Sequence, residues 1–122
     1  MIGYVTLGTN DLPRAIAFYD KLLGLLGAKR QMEFDRGVAW GIDMSTPGVG
    51  VLKPFDGKAA TAGNGTMVAL AAPNREKVEE MYQLALSMGA TDEGKPGQRG
   101  DGFYAAYFRD PDGNKLNCFC TG

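Results

Sequence analysis

One strand-and-helix pattern is written twice in this chain, and the duplication constrains the fold more than any single motif. Val5-Thr6-Leu7-Gly8-Thr9-Asn10-Asp11 opens the first copy, and Val68-Ala69-Leu70-Ala71-Ala72-Pro73-Asn74 opens the second, 63 positions later. Each run leads into a stretch whose apolar residues step i, i+3, i+4, i+7, i+8, one face of an α-helix. Ala15, Phe18, Tyr19, Leu22 and Leu23 mark the first helix, and Val78, Met81, Tyr82, Ala85 and Leu86 the second. Asp11 and Asn74 are matching N-cap candidates, because a short side-chain oxygen can accept from a helix amide that has no partner inside the helix. Gly27 and Gly89 close the two helices.

The remaining segments complete each copy with strands. After the first helix, residues 28–33 and 37–43 read as strands joined through Phe34-Asp35-Arg36-Gly37, and residues 49–54 form a further strand ended by Pro54. Residues 55–65 are rich in Gly and Ala without apolar periodicity and read as a linker. Residues 66–72 are the next strand and 74–89 the second helix, followed by a weak strand near Thr91. Residues 93–102 read as a mobile loop at the rim of a site, and residues 103–109 and 115–120 as a hairpin across Asp110-Pro111-Asp112-Gly113-Asn114. The expectation is an α+β fold, one domain over 1–122, with βαβββ modules at 1–54 and 66–122. Two such modules can curl into a mixed or antiparallel sheet around a shared cavity, by pairing within one chain or by swapping across a dimer. Alternation places Val5, Leu7, Val68 and Leu70 under the helices. Tyr4, Thr6, Gly8, Met67, Ala69 and Ala71 then face the cavity, and Asn117 alternates with Leu116 and Cys118.

Thirteen Lys and Arg against 14 Asp and Glu leave a net charge of −1, with no block of like charge. Nothing here marks a nucleic-acid or anionic-membrane surface. The apolar runs fall short of the ~18–20 residues of a membrane span, and Met1 leads straight into a strand, so a cytoplasmic protein is expected. Cys118 and Cys120 stand at i and i+2 on one strand, a spacing that suits two buried, reduced thiols. The chain has no histidine, and neither cysteine sits beside a base, which excludes the familiar nucleophilic triads. Its carboxylates fall mostly in turns or on a solvated helix face.

The duplicated pattern, Asn10-Asp11-Leu12, Phe18-Tyr19, Gly65-Thr66-Met67-Val68-Ala69 and the terminal Phe108-Arg109-Asp110-Pro111-Asp112-Gly113-Asn114 together resemble the vicinal oxygen chelate superfamily. That superfamily includes glyoxalase I, the extradiol dioxygenases and the bleomycin-resistance proteins. The resemblance covers the whole chain and implies paired βαβββ modules, commonly in a homodimer. Metal-dependent members carry ligands in strands one, four, five and eight. Carried over residue by residue, those positions fall on Tyr4, on the stretch from Val49 to Leu52, on Met67 and on Asn117. A phenol, aliphatic side chains, a thioether and a carboxamide do not make a divalent-metal site. A phenolate Tyr4 with Asn117 beside it is the one alternative ligand set.

The expectation is therefore a pocket with no metal and no cofactor, lined by Tyr4, Thr6, Trp40, Met67, Tyr107 and Asn117, that takes an unidentified small organic ligand. Tyr107 and Arg109 share a strand face whose direction the sequence leaves open. A lyase or isomerase of the same fold that works without metal is the alternative, and a structural protein with a vestigial cavity the third reading.

Overall fold

Both capping residues start helices. Asp11 Oδ1 accepts from the Arg14 amide at 3.2 Å, and Asn74 Oδ1 from the Lys77 amide at 2.8 Å, each satisfying an amide of a first turn. The computed structural model describes residues 1–122. It has the order β1 (Tyr4–Gly8), α1 (Leu12–Gly24), β2 (Lys29–Phe34), β3 (Gly37–Gly41), β4 (Gly48–Leu52), β5 (Val68–Ala71), α2 (Arg75–Ser87), β6 (Thr91–Gln98), β7 (Phe103–Arg109) and β8 (Lys115–Thr121). The fold is α+β, two βαβββ modules, as the duplication requires. Met1–Thr61 and Ala62–Gly122 form two compact units, and the division between them falls inside residues 55–65.

The first module is a four-stranded mixed sheet in the order β1-β4-β3-β2, with β1 and β4 parallel and the other pairs antiparallel. The five apolar residues read on the first helix face are all buried, together with Leu7, Val38, Trp40 and Val51 of the sheet. Phe18 meets Tyr19 edge-on at 5.0 Å, and Tyr19 meets Trp40 at 5.8 Å. Gly37 is required by close approach. A Cβ there would lie 2.9 Å from Leu52 Cα and overlap the Val51 carbonyl oxygen, so only glycine lets β3 run this close to β4.

The second module repeats the plan in the order β5-β8-β7-β6, again with one parallel pair, β5 and β8. Val78, Met81, Tyr82 and Ala85 of α2 are buried with Leu70, Ala106, Phe108, Leu116, Cys118 and Cys120. Leu86, expected on the same face, is only half-buried. Neither helix is long and apolar enough to cross a membrane.

Residues 93–102 depart from the expected loop, because β6 extends through Gln98. The glycines and proline that suggested a loop serve an irregular edge strand. The register with β7 shifts between Asp92 and Gly94 and again between Gly94 and Gly97, which absorbs the unpaired residues as bulges. Gly94 lies against Tyr107, where a Cβ would come within 3.1 Å of the ring. Pro96 is tolerated because β6 is the outermost strand and its missing amide breaks no essential ladder bond.

Asp110 organises the final turn. Its Oδ1 accepts from the Asp112 and Asn114 amides, both at 2.9 Å, and its Oδ2 from the Asn114 carboxamide at 3.0 Å. Gly113 takes φ 92° within that turn, a conformation that glycine adopts without steric cost. The carboxylate is buried and shares this hydrogen-bonded loop with Asn114.

Candidate functional site

Strand alternation in the first module sends Val5, Leu7, Val38 and Val51 toward α1 and leaves small residues across the opposite face. Thr6 pairs with Gly50, Gly50 with Ala39, and Ala39 with Met32, so one row crosses all four strands. Gly50 at its centre has no side chain to fill the space. Larger residues stand around that floor, among them Tyr4, Met32, Phe34, Met44 and Leu52, and enclose a groove of about 510 Å³. Tyr4 is 72 % exposed and Met44 76 %. Exposed apolar side chains around a recess of this size are the ordinary makings of a small-molecule site.

The polar groups of the groove are few. Tyr4 and Thr6 bring hydroxyls. The Gln31 carboxamide donates to the Gly41 carbonyl at 3.2 Å. Asp43 Oδ1 accepts from the Ser45 hydroxyl at 2.6 Å and the Ser45 amide at 2.8 Å. Those bonds from Ser45, helped by Thr46, hold its carboxyl below the usual carboxylate range. Asp43 is therefore an anion with Oδ1 engaged by Ser45, and its lowered basicity makes it a weak general base.

Trp40 belongs to the groove lining, but its indole does not open onto it. The ring is buried on the α1 side, with its nitrogen donating to Asp20 Oδ1 at 2.8 Å. The alternation that puts Ala39 and Gly41 on the groove floor turns Trp40 the other way. Met32, Phe34 and Met44 went unnamed as site residues in the sequence. Alternation alone would not have found Met32, because a bulge between Arg30 and Met32 turns Arg30 toward Asp20 of α1 and Met32 toward the groove.

The other expected residues lie in the second module. Met67 directly precedes β5 and is 42 % exposed. Asn117 pairs with Ala69 on one side and Tyr107 on the other. It is 1 % exposed, and its carboxamide donates to the Ala106 carbonyl at 3.2 Å. Tyr107 carries cations near its ring, Arg99 and Lys115, each 5.6 Å from the centroid. Arg109, on the same strand face, donates to Glu93 at 3.2 Å and to the Gly113 carbonyl at 2.8 Å. On this sheet face Phe103 stacks on Phe119 at 5.1 Å.

The positions where related folds hold a metal do not fit one. Tyr4 is an exposed phenol, Asn117 is engaged with main chain, and β4 offers only Gly, Val and Leu. No group of three or more Cys, Asp or Glu side chains converges anywhere in the chain. A divalent ion needs imidazole, thiolate or carboxylate donors brought together.

Residues 1–118 match the model of the Glyoxalase/Bleomycin resistance protein/Dioxygenase superfamily. A glyoxalase/bleomycin resistance protein from Albidiferax ferrireducens T118 is 33% identical, with TM-score 0.92 over 100% of this chain and 99% of that one. A glyoxalase/bleomycin resistance protein/dioxygenase family enzyme from Burkholderia phytofirmans PsJN is 19% identical, with TM-score 0.78 over 98% of each chain. Lactoylglutathione lyase from Agrobacterium tumefaciens is also 19% identical, with TM-score 0.69 over 98% of this chain and 92% of that one. The last two likenesses are of fold alone. No protein of curated function matches the sequence.

Proposed function

Because the chain belongs to the Glyoxalase/Bleomycin resistance protein/Dioxygenase superfamily, we propose that it is a metal-free binding protein for a small organic molecule, held in the groove of the first module. The observation that carries this reading is the row Thr6-Gly50-Ala39-Met32, a floor of mostly small residues ringed by exposed aromatic and thioether side chains. Apolar surface of this kind gains free energy at about 25 cal/mol per Å² when a ligand takes it out of water. The donor chemistry supports the metal-free part, since the chain has no histidine and Tyr4, Met67 and Asn117 stand at the ligand positions. Binding rather than catalysis is favoured because the ionisable side chains of the lining, Tyr4, Arg36 and Asp43, include no histidine, no cysteine and no carboxylate pair.

The test is thermal stabilisation across a panel of small aromatic compounds, repeated with Ala39→Trp. A ligand that binds the native state raises its apparent stability. Binders that stabilise wild type and fail to stabilise Ala39→Trp support the groove. A panel without binders, or one equally effective on both proteins, overturns it. Elemental analysis of purified protein covers the metal, and close to one transition-metal ion per chain would refute that part. The reading extends to a cytoplasmic homodimer, for which light scattering gives the mass in solution.

A further inference from the structure

Resting on that reading, we propose that the ligand is an organic anion with an apolar body, its charged group held at Arg36. The groove does not end at Leu52. A second recess of about 450 Å³ shares Thr6, Arg36 and Leu52 with it and adds Lys53, Phe55 and Ala60 among its walls. Both recesses belong to the first module, and the shared residues make them one elongated site. Its charges are unevenly placed. Arg36 stands where the two recesses meet, Lys53 and Asp56 line the second, and Asp43 lines the first.

Arg36 is positioned rather than free. It lies in the turn between β2 and β3, where the Lys53 amide donates to its carbonyl at 2.7 Å. Its guanidinium rests over the Phe55 ring at 5.2 Å, and Nη1 donates to the Lys53 carbonyl at a long 3.4 Å. No carboxylate pairs with it, unlike Arg30, which binds both Asp20 and Glu33. The one acid in the recess wall, Asp56, accepts from the Lys58 amide at 2.9 Å. A guanidinium has five donors in a planar fork, so most remain for a bidentate anion such as a carboxylate or phosphate.

The far wall is tied down as well. Asn10 Oδ1 accepts from the Ala60 amide at 2.7 Å, and Asn10 Nδ2 donates to the Ala60 carbonyl at 3.1 Å. This reciprocal pair fastens the segment through Ala60 beside the end of β1. Gly8 permits the approach, since a Cβ there would come within 3.0 Å of Ala60 Cβ. Part of the stretch read in the sequence as a linker thus walls the second recess.

Three probes with one body and different heads test the assignment: phenylhexanoate, phenylhexyl phosphate and phenylhexanamide, titrated by calorimetry at low and high salt. Wild type is expected to bind at least one anion about tenfold tighter than the amide, the scale of a charge-assisted hydrogen bond at a half-buried site. That preference should shrink as salt rises. Arg36→Gln should abolish it, with the anions losing more affinity than the amide, and Arg36→Lys should restore part of it. Equal affinity of wild type for all three probes, or a preference that survives Arg36→Gln, overturns the assignment and leaves the apolar groove standing. Failure of all three to bind overturns the small-molecule reading together with it. If Arg36→Gln does not fold, the salt dependence in wild type decides the question.

Discussion

The indole nitrogen of Trp40 donates to Asp20 Oδ1 at 2.8 Å, a polar bond set into the apolar layer between β3 and α1. The same carboxylate takes two bonds from Arg30, Nε at 3.0 Å and Nη2 at 2.6 Å. Arg30 and Trp40 are themselves partners across β2 and β3. One aspartate on the helix therefore clamps two adjacent strands.

The clamp has a pH signature. Arg30's hydrogen bond, chiefly, and Trp40's in addition hold the Asp20 carboxyl below its ordinary range. A depressed folded-state pKa contributes stability above the unfolded value of about 3.9 and loses it as pH falls through the folded value. Asp20→Asn is expected to cost about 1 kcal/mol at neutral pH, modest because the side chain is 36% exposed. The gap to wild type should be smaller in acid, below the ordinary carboxylate range, than at neutral pH, because protonation of the native carboxyl removes the charge. Urea titrations of both proteins at the two pH values measure this. A gap that stays constant would mean that the charge of Asp20 plays no part.

Phe18 is 2% exposed beneath α1 and meets Tyr19 edge-on. Phe18→Ala is expected to cost about 3–5 kcal/mol in denaturant titration, from lost burial and the cavity left behind. A loss below about 1 kcal/mol would show that the site collapses or that its packing contributes little.

Cys118 should resist thiol reagents. Its side chain is buried, its sulfur donates to the Val78 carbonyl of α2 at 3.6 Å, and burial pushes its thiol up to about 12. The thiolate is the reactive species, so iodoacetamide at pH 8 should leave Cys118 unmodified in the native protein and alkylate it after unfolding. Mass spectrometry of tryptic peptides reads both states. Rapid native alkylation would mean that α2 opens readily from β8.

The architecture was legible because it rests on local periodicities. The buried set Ala15, Phe18, Tyr19, Leu22 and Leu23 follows directly from helical spacing, and the caps Asp11 and Asn74 from short polar residues before an apolar run. The site was less legible, because a face assignment depends on register. Trp40 was expected beside the cavity on the strength of its small neighbours, yet those neighbours, Ala39 and Gly41, are the residues that face the groove. Asn117 was expected as an open polar group, and the carbonyl it binds lies across the ladder on β7. Gly94 and Gly97 carry the marks of a loop, and only pairing with β7 makes an edge strand of them. Arg36 read as a turn residue, since nothing local announces that Phe55 will lie against its guanidinium.

Backbone amide chemical shifts during titration with phenylhexanoate test the central claim most directly. The account expects saturable shifts concentrated at Thr6, Met32, Ala39 and Gly50, the row that floors the groove, and their loss in Ala39→Trp. Shifts confined to the second module, around Tyr107 and Asn117, or no saturable shift at all, would contradict it.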